Sequence, residues 1–330
     1  MTIEGLRLFQ WGRETTRGTA VPATSIIAVQ DIDFAPEDEV VRPKLRKGLL
    51  HRNPGGEVVV KRGTTFSVAE GPVVFRQLQH WLSMSVRGGV TAVGATAPYT
   101  WTFTRSLTAD PSPDSWTFER RLSDGATSKD NRWSYGLLSQ IAFSFAENEA
   151  LQFSAQGFAR RIQASTLTPA LTMPVTEIPP AALAKVYIDD TWAARGTTQV
   201  TGQVLGATFT FHTGFKPLMS LDARADLDFT THILDPGEVG FELELVMLVA
   251  GQYDIEKAKA EAAALRAVRL EIVSGSDSLK LDMLAKHEKG SLFKIDTKDG
   301  QDIVTMSLVD SDDGTNMFEA VVVNQVNTYA

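Results

Sequence analysis

Cysteine is absent from the 330 residues, so no disulfide and no thiolate metal site can form, which fits a reducing compartment. Long apolar runs are missing as well. No window approaches 18 uninterrupted apolar residues, and even residues 241–250 are broken by Glu242 and Glu244, so no membrane-spanning helix is expected. Residues 1–11 carry Glu4 and Arg7 without a continuous apolar stretch, and no secretory leader is expected. Positive charge is in deficit, with 32 Lys and Arg against 40 Asp and Glu, a net charge of -8 and a pI near 5.2. A protein that grips nucleic acid through its phosphates needs the opposite balance. An acidic surface keeps a chain soluble and keeps it off DNA.

Catalytic signatures are also lacking. There is no Gly-Lys-Ser/Thr phosphate loop and no Gly-x-Ser-x-Gly elbow. The five histidines (His51, His80, His212, His232 and His287) are scattered, and His287-Glu288 lacks the second His of a zinc helix. Asp310-Ser311-Asp312-Asp313-Gly314 resembles a calcium loop, but its Gly comes one place early and Val321 stands where the bidentate Glu belongs. A hairpin turn accounts for these residues better, and Asp189-Asp190 reads as another turn. Neither a cofactor nor a metal is expected, and the chain does not read as an enzyme.

What is present is β structure. Tyr99, Trp101 and Phe103 alternate with Thr100, Thr102 and Thr104, and Phe241, Leu243 and Leu245 alternate with Glu242 and Glu244. In the first half, strands are expected over 25–34, 58–68, 99–105, 116–120, 141–145 and 151–156. The second half offers 204–212, 241–248, 268–273, 279–284, 303–308 and 318–323. Two segments read as helices. One runs over 72–84, opened by Gly71-Pro72, with Phe75, Leu78 and Leu82 on one face. The other starts at Asp254 as N-cap and carries a stripe of Ile255, Ala258, Ala262 and Leu265. Pro169, Pro174, Pro179 and Pro180 make 165–180 a stiff extended linker. The expected organisation is an α+β, β-dominated chain of two similar modules, 1–164 and 181–330, each with one short helix against a β layer. Residues 5–22 read either as an arm that orders against a neighbour or as a frayed terminus.

One charge cluster stands out. Arg42, Lys44, Arg46, Lys47 and Arg52 concentrate positive charge in a long loop, and Glu37, Asp38 and Glu39 lie just upstream, with Asp31 and Asp33 before them. A solvated loop is one reading. The other is a loop that reaches an acidic surface on another copy and sets the register of stacking.

The opening Trp11-Gly12-Arg13-Glu14-Thr15-Thr16-Arg17-Gly18-Thr19-Ala20 carries a resemblance. So do the charged loop over 41–55, the strand over 58–66 leading into 75–82, and the ending over 318–324. Through these the chain resembles the major tail tube proteins of bacteriophages with long non-contractile tails. The resemblance implies β-sandwich or barrel modules flanked by a helix, with six modules closing a ring and rings stacking into a tube. A duplicated chain would form that ring from three copies. It further implies a location in the virion tail after assembly in the host cytoplasm. The implied partners are other copies of the chain, a tape measure, a tail terminator and the tip or baseplate, with DNA crossing the lumen unbound. The ring-stacking residues it implies are Arg42, Lys44, Arg46, Lys47, Arg52, Glu37, Asp38 and Glu39. A β-rich adhesion or carbohydrate-binding module, using exposed Trp101, Trp116 and Trp133, is the competing expectation. Both faces of the aromatic and threonine strands remain open as lumen-lining faces.

Overall fold

A computed structural model describes residues 6–42, 57–123, 128–222, 224–288, 295–298 and 300–329. It is β-dominated, with nineteen strands and two α-helices among the described residues. The strands are β1 (Leu6–Arg13), β2 (Ser25–Ile26), β3 (Ile32–Pro36), β4 (Glu39–Val41), β5 (Val58–Lys61), β6 (Thr64–Pro72) and β7 (Tyr99–Thr104). Next come β8 (Trp116–Ser123), β9 (Ser128–Ala146), β10 (Gln152–Ala159), β11 (Gln163–Ala164), β12 (Ala184–Asp189), β13 (Val204–Leu218) and β14 (Thr231–Leu248). The last are β15 (Arg266–Ser274), β16 (Asp277–His287), β17 (Ile295–Lys298), β18 (Gln301–Asp310) and β19 (Phe318–Asn324). Helix α1 is Leu78–Ser85 and α2 is Gly251–Glu261.

Two long strands serve two sheets each. In the first half, β9 pairs with β8 and β11 over its first part and with β10 and β13 over its second. One sheet therefore runs β2-β1-β8-β9-β11 and the other β3-β6-β10-β9. In the second half β16 does the same, pairing with β15 and β19, then with β18 at its end. Its sheets run β12-β15-β16-β19-β7 and β13-β14-β18 with β16 and β17 alongside. The order β3-β6-β10-β9-β8-β1 is thus repeated by β13-β14-β18-β16-β15-β12. A helix follows β6 in one half and β14 in the other, and β11 and β19 occupy matching places. The repeat expected from sequence is present in the topology with one shift. Strand β7 has no counterpart and adds to the second half beside β19, so β15 answers to β8 rather than to β7.

Aromatic residues fill the space between sheets. Phe34 stacks on Trp133 with ring centroids 3.9 Å apart, and Phe66 meets Phe118 at 5.0 Å. In the second half Phe318 stacks on Phe209 and Phe211 at 5.2 and 5.0 Å. Trp101, Trp116 and Trp133 are all fully buried in this core and form no surface platform. The apolar core continues without a break from Phe9 to Val322 across both halves.

Several local expectations change. Residues 25–34 split into β2 and β3, and 58–68 splits into β5 and β6 at Arg62-Gly63. Pro72 closes β6 instead of opening a helix, because Gly71 and Pro72 are still paired with Phe153 and Gln152. Helix α1 begins only after a 3-10 turn at Phe75–Gln77 and is buried all round, polar Gln79, His80, Ser83 and Ser85 included. Asn324 explains part of this, since its Nδ2 donates to Phe75 O (2.9 Å) and Gln79 Oε1 (2.8 Å). Helix α2 is capped by Ala250, and Asp254 lies inside its first turn. Its buried residues are Tyr253 and Glu256, while Ile255, Ala258 and Ala262 are exposed. Glu256 receives two bonds from Arg266 (3.0 and 2.7 Å) and lies 2.9 Å from His287 Nε2, so an ionic anchor replaces the expected alanine stripe. Residues 6–13 form neither an arm nor a frayed end. They are the interior strand β1, paired along its whole length with β8, and both of its faces are covered over residues 9–12.

Residues 165–180 are extended, as the prolines demand, and are tied to the first half. Thr168 donates from N and Oγ1 to the buried Glu119 carboxylate (2.8 and 3.1 Å), and Leu167 N donates to Asp130 (3.1 Å).

Candidate functional surface

The sheets of the two halves join edge to edge. β9 of the first half pairs with β13 of the second from Gly206–Ala146 to His212–Gln140. The result is one antiparallel sheet in the order β3-β6-β10-β9-β13-β14-β18-β17, four strands from each half. One face of it is core, carrying Phe66, Ile141, Phe143, Phe209, Phe211, Phe241, Leu243 and Met306. Strand alternation sends the intervening side chains to the other face.

That other face is built of small polar and acidic groups. One row crosses it as Asp33, Ser67, Gln156, Gln140 and His212, each opposite the next. A second runs Ser154, Ala142, Thr210, Glu242 and Val309. A third runs Gln152, Ser144, Thr208, Glu244 and Ser307. Over these strands the described side chains of the three rows include no lysine or arginine, and the second row continues from Val309 to the exposed Lys286 of β16. In the aromatic and threonine strand β7, which pairs with β19 outside this sheet, Trp101 and Phe103 are buried and Thr102 is exposed.

The second half's other sheet has a different outward face. Its rows are Lys185, Glu271, Lys280, Val321, Thr102 and Tyr187, Arg269, Asp282, Glu319, Thr104. Opposite charges alternate here and pair: Arg269 Nε to Asp282 at 2.5 Å, Lys280 to Glu271 at 3.1 Å, and Arg195 to both Asp282 (3.1 Å) and Glu319 (3.3 Å). Hydrogen bonding to Asp282 holds the Arg269 pKa above its ordinary value. One face is an ion-pair lattice. The other carries carboxylates among small polar groups, with Lys286 at the β16 end of one row.

Among the described residues the sheet is open at both ends, where β3 pairs only with β6 and β17 only with β18. Rows of unpaired N–H and C=O groups on such edges are templates for another strand.

Of the expected stacking residues, Lys44, Arg46, Lys47 and Arg52 lie outside the described residues. The strands that flank them form a separate two-stranded ribbon, β4 with β5. Arg42 pairs across this ribbon with Glu57 at 2.8 Å, and Lys61 approaches Glu37 at 3.7 Å. Asp38 and Glu39 are exposed on it, whereas Asp31 is bound by Arg7 of β1 and Asp33 lies on β3. The structure thus places Glu37, Asp38, Glu39 and Arg42 on one ribbon. Val40, Val41, Val58 and Val60 of the ribbon are exposed by 39%, 47%, 57% and 41%. With one strand expected over 58–68 and none over 39–41, the ribbon and its exposed valines are not anticipated from sequence.

No group of three or more His, Asp or Glu side chains among the described residues could hold a metal ion. The 310–314 segment is a side-chain-bonded turn, with Asp313 Oδ1 accepting from Thr315 N (2.9 Å) and Asn316 N (2.7 Å). Asp189 likewise accepts from Thr197 and Thr198. Among the described residues no helix is long and apolar enough to cross a membrane. No family model matches the chain, and no curated protein is significantly similar to it.

Proposed function

We propose that this chain is a structural protein that assembles into rings, and the rings into a hollow tube that conducts DNA, as in a phage tail. The single observation that carries the reading is the eight-stranded sheet, whose central polar rows hold carboxylates and small polar groups and whose two edges are open among the described residues. An isolated open sheet of this length is a hazard, and closure into a barrel with other copies removes the edges. Head-to-tail joining of one edge to the other makes a ring when the rotation closes.

Size is consistent with passage of duplex DNA. Three copies would supply about 24 strands, which at roughly 4.8 Å each and a tilt near 40° give a barrel about 48 Å across at the backbone. Small side chains such as Ser144, Thr208 and Ser67 would leave a bore of roughly 35–40 Å, wider than a duplex of about 20 Å. Glu242, Glu244 and Asp33 on such a wall would repel phosphates and outnumber Lys286, the described lysine that continues one of its rows. In the same reading other copies, a length-setting protein, a terminator and a tip complex are the partners.

Negative-stain microscopy of the purified chain, alone and with a preformed tail tip as nucleus, tests the proposal. Hollow tubes with ring-shaped end views are expected. A chain that stays monomeric by light scattering under every condition, nucleus included, would overturn it.

A further inference from the structure

The joint between the two halves inside one chain is a template for the joint between chains. Matching strands fix its register. Val68 faces Ile32 on one side and Ala155 on the other, as Leu245 faces Ala207 and Met306. Phe66 faces Phe34 and Gly157, as Leu243 faces Phe209 and Leu308. Ile32 and Phe34 of β3 are therefore the counterparts of Ala207 and Phe209 of β13. On the receiving side, Phe153 lies between Gly71 and Phe143, as Val304 lies between Met247 and Ile295. Ile295 of β17 therefore stands where Phe143 stands in β9. Phe143 is a core residue at 1% exposure because β13 covers its edge, whereas Ile295 is 51% exposed beside an open one.

We infer that β3 of one copy docks antiparallel on β17 of the next, with Phe34 opposite Ile295, Asp33 opposite Asp296 and Ile32 opposite Thr297. This rests on the ring reading above and specifies its joint. The intrachain original sets Phe209 opposite Phe143, Thr208 opposite Ser144 and Ala207 opposite Phe145.

An independent feature points to the same neighbour. Beyond the joint, the far ends of β13 and β14 reach over the first half, where Phe229 packs on Tyr135 and Phe158 with centroids 5.0 and 5.5 Å apart. Arg160 holds the arm there by donating to Phe229 O (3.2 Å) and Thr230 O (2.9 Å). The counterpart connection, from β3 to β6, carries the β4–β5 ribbon, whose four valines are exposed. Seated by the same relation, the ribbon rests on the next copy near Lys286 and Val309, the pair that matches Leu137 and Phe158. Lys286 is exposed there and faces the acidic Glu37, Asp38 and Glu39 of the arriving ribbon.

The joint between chains differs from its template in one way. Neutral Thr208 and Ser144 are replaced by two carboxylates, Asp33 and Asp296. Like charges directly opposite one another weaken a strand pair. The chain-to-chain joint is thereby held weaker than the joint within the chain, and free monomers are kept from polymerising without a nucleus.

The chain lacks cysteine, so introduced thiols are the only ones present. The test is the full-length Asp33→Cys, Asp296→Cys variant under mild oxidation, read on non-reducing gels. Opposed residues in an antiparallel pair lie about 4.5–5.5 Å apart at Cα, within disulfide reach. Disulfide-linked dimers and trimers are expected, with none from either single variant. Tubes in the microscope without these cross-links would overturn the joint while leaving the ring reading standing. Absence of any assembly in the wild type would overturn both. Should the double variant misfold, hydrogen exchange on wild-type protein serves instead. Residues 32–36 and 295–298 must gain protection on assembly, and unchanged exchange in formed tubes would reject the joint. Asp33→Asn with Asp296→Asn is expected to lower the concentration needed for assembly by about two- to fivefold, and an unchanged or higher threshold counts against the register.

Discussion

Phe209 lies directly opposite Phe143 across the strand pair that makes one sheet of the two halves, and both are buried. The contact is a packing contact and a topological one, since it lies on the seam. Phe209→Ala removes a ring stacked against Phe318 and leaves a cavity there. A loss of about 3–5 kcal/mol in unfolding free energy is expected. Because the core is continuous across the seam, the variant is expected to unfold in one transition at lower denaturant. Urea melts followed by fluorescence check this, and two separated transitions would contradict the shared core.

His80 sits inside the aromatic core, stacked on Trp11 at 4.7 Å, and edge-on to Trp116 and Tyr329. Burial removes it from water and pushes its pKa from the ordinary 6.5 down to about 3. The unfolded chain binds a proton at His80 below pH 6.5, which the folded chain refuses until about pH 3. Stability is therefore complete above pH 6.5 and falls as pH drops between those values, with a limiting slope of about 1.4 kcal/mol per pH unit from this group. His80→Leu is expected to flatten that part of the profile. Melts between about pH 7 and pH 4 for both proteins decide it, and parallel profiles would mean His80 is not the group responsible.

Much of this fold is legible in the sequence because alternation survives wherever one sheet face is wet. Phe241, Leu243 and Leu245 against Glu242 and Glu244 announce a strand and its inner face together. Where both faces are covered the signal vanishes. In β1, Phe9, Gln10, Trp11 and Gly12 are all buried, so the pattern that marks a strand is absent. The helix stripes failed for two different reasons. α1 is enclosed on every side, and α2 is anchored through Glu256 and Arg266, whose polar character gives no hydropathy signal. The candidate lumen face was hidden because it is a property of pairing. Asp33, Ser67, Gln156, Gln140 and His212 come from five distant segments, and only the register sets them in a row.

Under the proposed function, substitutions in the basic loop should separate folding from assembly. Arg42 is exposed and, among the described residues, is ion-paired with Glu57 of its own ribbon, so Arg42→Glu with Lys44→Glu and Arg46→Glu removes no described core contact. Surface substitutions such as that of Arg42 change stability within about 0.5 kcal/mol. The expected result is an unchanged thermal midpoint with rings that fail to stack, visible as short or absent tubes. Tubes of normal length would remove the loop from the stacking argument.

In the proposed tube, charge on the polar sheet face would govern how DNA fares against it. Glu242→Lys with Glu244→Lys keeps the core side of β14 intact and turns two repelling sites into attracting ones. Tubes of the variant are expected to retain linear duplex DNA at low salt and release it as salt rises, since each phosphate contact makes binding salt-dependent. Co-sedimentation at about 50 and about 300 mM salt measures this. Wild-type tubes are expected to retain none at either.

A thiol can report which face is inside. Thr210 lies in the middle of the polar sheet face and Thr102 at the edge of the ion-paired outer sheet. Thr210→Cys and Thr102→Cys would each carry the only thiol in its chain. In unassembled protein both variants should react with a small maleimide and with one carrying a long polymer. After assembly the small reagent still diffuses along the bore and reaches both sites. The bulky one is expected to label the Thr102→Cys variant at its former rate and the Thr210→Cys variant many times more slowly. The contrast depends on enclosure rather than on burial, because the small reagent controls for local accessibility. Equal labelling of the two variants by the bulky reagent in intact tubes would place the Glu242 and Thr210 face on the outside, and the repulsion of DNA by that face would then have no part in the tube's work.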